Sequence, residues 1–407
     1  MNRLGVRART VSDKIAQAAG LDVRLLGMLF MMAVIWLALH ALTGGLFITP
    51  RNLFNLSLQV AVVGIMTCGM VLMIVSRNID LSVGSQIGFI SVFGALMQNA
   101  WLPIDGSSTW WITSLAMLSV GLVIGLGQGL LVAYAGIPSF VVTLGGLLFF
   151  RNAAFYINNG VTVAPLNQTF QLLGGGLDGT IGVFWSWVVC GLAIATVALF
   201  IWRGRLRRSA HSMAQRPITN DMLTVAIWAI VIAVFTGTMN GYKQPKTDIG
   251  MGIPIPVLIL IGVTIVMSAV ARKHRFGRHV FAMGGSSESA ELAGIDTRKL
   301  TMFVFVLMGL LCGLASIVIT ARLNAGASVT GTMSELNVIA AAVIGGTSLA
   351  GGIGTVYGGI VGALIMQSLE SGMILMGVPT PLQRMVLALV LIIAVWVDTA
   401  YRRARRT

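Results

Sequence analysis

Apolar runs of about 20 residues alternate with short polar links along the whole chain, the pattern of a polytopic helical membrane protein. Taken in order, the runs predict twelve crossing helices. They fall at about 25–42, 56–75, a third ending near Asn99, 112–134, a fifth ending near Asn158, 181–202, 222–239, 254–271, 300–320, 335–349, 355–376, and a last one from Pro379 and Pro381 to about Ala400. The expected layout is a basic tail over 1–24, a transmembrane domain over 25–400 and a second basic tail over 401–407. Two places leave the count open. The Gly-rich hairpins between runs two and three and between runs ten and eleven could belong to full spans or to re-entrant half-helices, since irregular backbone is tolerated at depth where protein buries it.

One stretch breaks the apolar pattern. Residues 272–299 form the most highly charged island between two runs. Its first half is basic with Phe276, Val280 and Phe281 interleaved, which suits a helix end at an anionic lipid surface. Its second half reads as a short amphipathic helix. Gly284 and Gly285 form a flexible lead-in, Ser286 or Ser287 is the N-cap, and Glu288 complements the helix dipole. Ala290, Leu292 and Ala293 give a small apolar surface, Gly294 stops the helix and Ile295 packs back on it. Such a helix either rests on lipid or offers small side chains to the groove of another protein.

Composition agrees with this class. Charged residues make up 10% of the chain and apolar residues 56%, against about 25% charged in soluble domains. Net charge is +14, which in a soluble protein would point to nucleic acid; here it points to topology, and no nucleic-acid partner is expected. With twelve spans and an inside amino end, the links predicted to be cytoplasmic hold twenty-one basic residues and the external links five, Arg51, Lys243, Lys246, Arg322 and Arg384. That split puts the 272–299 island and both termini in the cytoplasm. Cys68, Cys190 and Cys312 lie in three separate apolar runs and read as packing residues. The four histidines, His40, His211, His274 and His279, lack metal-ligand spacing. No metal site is expected.

Ionisable groups at membrane depth are functional candidates by default: Arg77, Asp80, Arg151, Glu335 and Glu370. Asp80 stands beside Ser82 and Ser85 and reads as a turn cap, with Gly84, Gly351 and Gly352 completing the two structural hairpins. Glu335 suits the N-terminus of the tenth run. Asn55, Gln59, Asn152, Asn158, Asn337 and Gln367 could line a polar path; each could equally bond a neighbouring helix. Leu81 with Gly84, and Gly94 with Leu96, recur 268 residues later as Leu349 with Gly352 and Gly362 with Leu364, through either a duplicated unit or convergent composition. The chain has no Gly-Lys pair, so it carries no phosphate-binding loop of the GxxxxGK[ST] kind.

Four stretches resemble the permeases of ABC importers for simple sugars. They are Ile79–Ser85, reading Ile-Asp-Leu-Ser-Val-Gly-Ser; Pro138–Leu144, reading Pro-Ser-Phe-Val-Val-Thr-Leu; the island's Gly284–Ile295; and Ile344–Gly352. The two runs at about 181–240, joined by Trp202-Arg-Gly-Arg-Leu-Arg-Arg208, are additional to the ten spans of ribose-type members and resemble the insert of xylose-type members. The resemblance implies a non-enzymatic permease subunit that moves a monosaccharide, xylose or a similar pentose, by alternating access. It implies that a cytoplasmic ATPase subunit docks on Gly284, Gly285, Ser286, Glu288, Ala290, Glu291, Leu292, Ala293, Gly294 and Ile295. It also implies an extracytoplasmic sugar-binding protein outside, a second permease copy beside it in the inner membrane, and ATP with Mg on the partner, with no cofactor on this chain. Departures are Ser286 where relatives favour Asn, Ser289 where they favour Ala, Glu291 where Arg is frequent, and Arg77-Asn78 where Gly or an acidic residue is usual. The rival expectation is an ion-coupled secondary transporter using Asp80, Glu335 or Glu370 without an ATPase.

Overall fold

The computed structural model describes residues 23–210, 217–244 and 248–406. Most of the expected amino-terminal tail, with Arg3, Arg7, Arg9 and Lys14, lies outside them, as do His211, Arg216 and Lys246. The described residues are helical, with only two isolated bridges and no strand. We label the main helices α1 Val23–Leu42, α2 Pro50–Val75, α3 Val83–Leu96, α4 Thr109–Ala133, α5 Ser139–Asn158, α6 Gly182–Ala210, α7 Ile218–Gly241, α8 Ile255–Arg272, α9 Arg275–Gly285, α10 Ser287–Leu292, α11 Thr297–Leu323, α12 Ser334–Ile344, α13 Val356–Leu375 and α14 Thr380–Arg406.

Nine described helices are long and apolar enough to cross a membrane, where the sequence pattern predicted twelve. The shortfall falls on three elements. Helix α12 has 11 residues, a length of about 16 Å against a hydrocarbon core of about 30 Å, so it does not span. The run expected to reach Leu349 is broken by Gly345-Gly346-Thr347-Ser348, where Gly346 turns the chain at φ +84°. Helix α3 has 14 residues and continues into a π-helical turn, Met97–Trp101. Helix α14 is 27 residues long, and among the described residues its apolar stretch covers Thr380–Trp396. Short α12 packs beside full-length α13.

The chain forms two compact units. One comprises Met1–Phe54 and Thr180–Ile253, and so holds α1 with the pair α6 and α7. Within it the Ser186 hydroxyl accepts from the Ile253 amide at 2.8 Å and donates to the Gly182 carbonyl at 2.7 Å, closing the segment on itself. The apolar faces of these helices are largely exposed, Phe30, Leu37, Phe184, Leu192 and Ile230 among them, as lipid-facing surfaces are.

The other unit comprises Asn55–Gly179 and Pro254–Thr407. Helix α2 is its axis and is buried over 94% of its most apolar window. A helix apolar on all sides is buried by neighbours on all sides. Gly64 admits Leu260 of α8 and Ile360 of α13, and Gly69 admits Met308 and Leu311 of α11. Helices α4 and α11 come closer still. Gly121 and Gly125 face Gly309 and Phe305 backbone to backbone, and a methyl on Gly125 would lie 3.0 Å from the Val306 Cα. The 159–181 segment, expected as a polar link, is ordered by Asn167. Its side chain accepts from the Phe170 amide at 3.0 Å and donates to the Ile104 carbonyl at 2.6 Å, and Phe170 is fully buried. Of the two pairs at the 268-residue offset, Gly84 sits inside α3 whereas Gly352 sits in the turn before α13, and Gly94 and Gly362 both sit within helices.

Candidate functional site

The charged island folds as two short helices set between α8 and α11. Helix α9 is amphipathic, with Gly277, Val280, Met283 and Gly284 buried and Arg275 and Arg278 outward. The Arg272 guanidinium lies 4.7 Å from the centre of the Tyr357 ring. Ser286 is extended and caps α10: its hydroxyl accepts from the Ser289 amide at 3.2 Å and donates to the Ser289 hydroxyl at 2.9 Å. The helix is only six residues long, Gly294 turns the chain at φ +81° one residue after its C-cap Ala293, and the Ile295 amide closes on the Ala290 carbonyl at 3.0 Å. Ala290 faces inward, while Leu292 is 85% exposed.

Two polar contacts stiffen the exit. Glu291 Oε1 accepts from the Thr297 hydroxyl at 2.6 Å, which gives this departure from the family pattern a local role. Asp296 caps α11, accepting from the Lys299 amide at 3.0 Å and pairing with its ammonium at 3.2 Å. The Lys299 amide, then its side chain, hold the Asp296 carboxyl below its ordinary value.

Gly284 is no flexible lead-in. It belongs to the last turn of α9, where a side chain would overlap the Val75 carbonyl and stand 2.7 Å from the Gly352 nitrogen. Gly352 in turn donates to the Val75 carbonyl at 2.9 Å. The end of α2, the end of α9 and the 345–355 hairpin therefore meet backbone to backbone. Arg77 locks this junction. Its Nε donates to the Gly284 carbonyl at 2.8 Å and a terminal nitrogen donates to the Gly285 carbonyl at 2.7 Å. These carbonyls end a helix and lack intrahelical donors, so a cation suits them. Arg77 also closes α2: the Asn78 amide reaches the Met73 carbonyl and the Arg77 amide the Ile74 carbonyl, both at 2.9 Å. That is a Schellman closure, with Arg77 at φ +64° in the position glycine usually fills.

The hairpin after Arg77 is held from within. Asp80 Oδ1 accepts from the Ser82 amide at 2.8 Å and the Ser82 hydroxyl at 2.6 Å. Gln86 and Gln128 both donate to the Ser82 oxygen, at 2.7 and 2.8 Å. All four side chains are buried. Asp80 thus occupies the turn-capping geometry expected of it. Gly84 leaves room for the Glu335 carboxylate at the start of α12.

The six candidate path residues do not form one group. Asn337 and Gln367 converge on Glu370, whose Oε2 accepts from them at 3.3 and 2.9 Å, beside a cavity of about 120 Å³ that Gln383 and Arg384 also line. Asn158 instead caps its own turn, donating to the Val161 carbonyl at 2.7 Å. Asn152 is exposed and bonds the Leu148 carbonyl of its own helix, Asn55 is exposed, and Gln59 is half-buried. Arg77 and Glu370 stand among the ionisable candidates at membrane depth, but the sequence assigned neither to the coupling surface nor to the polar path. For Arg77 the available signal was its departure from the family's usual residue; for Glu370 it was a carboxylate one turn from Gln367. No group of three or more metal-ligating side chains occurs among the described residues.

The sequence profile of a family described as branched-chain amino acid transport system / permease component matches residues 52–395. The chain is similar to the xylose transport system permease protein XylH of Haemophilus influenzae, 37% identical over 379 residues that cover 92% of this chain and 96% of the relative. It is also 37% identical to XylH of Escherichia coli K12, over 89% of this chain and 88% of that protein. With the ribose import permease protein RbsC of Escherichia coli K12 it shares 31% identity, over 86% and 87% of the two chains. No solved structure matches it.

Proposed function

Because the chain belongs to the family described as branched-chain amino acid transport system / permease component, we propose that it is the membrane subunit of an ATP-driven sugar importer whose cargo is xylose or a similar pentose. It is a multi-pass protein of the inner membrane. It is not itself an enzyme; ATP and Mg stay with a cytoplasmic ATPase partner. A sugar-binding protein delivers cargo from outside, and a second copy of the chain completes the translocation unit. The full-length similarity to xylose and ribose permeases supports this reading, with xylose the finer part of it.

The observation that carries the coupling role is the exposed α10 with its rigid base. Leu292 stands out from the surface, while the helix just before it is bonded through Gly284 and Gly285 to the ends of α2 and of the 345–355 hairpin. A partner ATPase gripping Leu292 and the flanking small residues would move the junction as a body. Helix α11 follows α10 after a four-residue turn and carries the displacement into the membrane. Asn337, Gln367 and Glu370 supply hydrogen bonds of the kind sugar hydroxyls use along the route.

The test is reconstitution with the ATPase subunit and the binding protein. Leu292→Glu and Gly294→Trp should each abolish ATP-dependent pentose uptake and co-purification of the ATPase. Survival of both activities refutes the coupling role. Uptake by vesicles holding this chain alone under a proton gradient would favour the ion-coupled alternative. Binding of a sugar panel by the cognate binding protein decides the cargo.

A further inference from the structure

Helices α6 and α7 part at one end and leave a groove of about 600 Å³. Its walls are one face of each helix, Ala198, Ile201 and Trp202 opposite Met222, Val225 and Ala226. They are overwhelmingly apolar. At the mouth Arg205 and Asp221 pair at 2.9 Å and tie the two helices together. Trp202, Leu206, Ile218 and Met222 remain largely exposed around the groove.

The charge at this end is unbalanced. Helix α6 finishes with Arg203, Arg205, Arg207 and Arg208, while Asp221 is the lone acidic residue of α6 and α7. The apolar part of α6 ends at Trp202, an interfacial residue type, so these arginines stand where the hydrocarbon gives way to headgroups. At about 100° per residue, Arg208 falls beside the edge of the groove face that carries Ile201, and Arg203 falls beyond the edge that carries Leu206. An apolar slot at bilayer depth, flanked at headgroup level by excess guanidinium, matches one chemistry. The slot takes an acyl chain, and the arginines take a phosphate with net negative charge.

We propose that the groove between α6 and α7 is a binding site for an anionic glycerophospholipid, held by its headgroup at Arg203 and Arg208 and by an acyl chain along Ala198, Ile201 and Met222. A zwitterionic lipid fits the slot equally well but gains little from the arginines. The preference for net negative charge is therefore the signature of the site. The inference needs only that the chain spans a bilayer and is independent of the cargo and of the ATPase.

The experiment is native mass spectrometry of the full chain in detergent, with phosphatidylglycerol or phosphatidylcholine added in matched amounts. The wild type should retain phosphatidylglycerol in preference to phosphatidylcholine. Arg203→Gln with Arg208→Gln should weaken phosphatidylglycerol retention by roughly 30-fold, as the contribution of two basic side chains at an anionic surface implies, and leave phosphatidylcholine unchanged. Ala198→Trp with Ala226→Trp, which fills the slot and leaves every charge in place, should lower retention of both lipids. Monodisperse elution of each variant guards against misfolding. The proposal is overturned if the double arginine variant retains phosphatidylglycerol as the wild type does. It is also overturned if filling the slot changes nothing, because the arginines would then act as a general basic surface. Displacement of phosphatidylglycerol by inorganic phosphate alone would overturn the role of the acyl chain.

Discussion

Replacing Arg77 tests the junction most directly. The guanidinium makes two charge-assisted bonds, to the carbonyls of Gly284 and Gly285. Such bonds contribute about 1.5–3 kcal/mol each when buried. Here the residue is exposed at the surface, so the pair together is worth about 2 kcal/mol after solvent screening. Arg77→Ala removes both bonds and keeps the unfavourable left-handed backbone. Arg77→Gly removes both bonds and also relieves that backbone, which returns about 1 kcal/mol to the closure of α2. The two variants should therefore differ in thermal stability, with Arg77→Gly closer to the wild type, and agree in how loosely the island is held. Hydrogen exchange reads the second quantity. The amides of Ser286, Ala290 and Ile295, each bonded to a local carbonyl, should exchange about 30-fold faster in both variants, the factor that about 2 kcal/mol sets. Amides in the middle of α2 should not change. Exchange of the three island amides within about threefold of wild type in Arg77→Ala would refute the anchoring argument.

Neighbouring glycines give an internally controlled comparison: Gly284→Ala forces a methyl into the Val75 carbonyl and should cost about 3 kcal/mol, whereas Gly285→Ala meets nothing within 4 Å and should be near neutral by melting in detergent. Asp296 has a lowered pKa, so its cap on α11 contributes above the ordinary carboxylate value of 3.8 and is lost as pH falls through the still lower folded value; the Lys299 amide should lose exchange protection only below about pH 4, and Asp296→Asn should flatten that dependence. Asn337→Ala or Gln367→Ala should slow sugar uptake about fivefold, one hydrogen bond's worth, while the ATPase still co-purifies; unchanged uptake removes both from the route.

Much of this was legible because it is local. The Ser286 cap, the Gly294 stop and the return of Ile295 depend on residues within one turn of each other, so the sequence carries them whole. Asp80 and Ser82 are likewise two residues apart. The junction was not legible, because its partners lie far apart: Arg77 meets Gly284 across 207 positions. Gly284 looked like a hinge because glycine frees a backbone, yet here its missing side chain lets three backbones touch. The count was open at the two Gly-rich hairpins, because composition alone does not fix where a helix ends there. Ala340 to Ile344 is apolar, and the left-handed turn at Gly346 in the Gly-Gly-Thr-Ser stretch that follows marks that α12 has already ended.

The close seam between α4 and α11 has its own consequence. Where Gly121 and Gly125 meet Gly309 and Phe305, no cushion of side chains remains to compress or change rotamer. Carbonyl ridges would have to climb over one another for the helices to slip. The pair is accordingly a laminated strut: α11 starts at Thr297, just past the exposed Leu292, and the seam ties it to α4, whose far end carries Trp110 and Trp111.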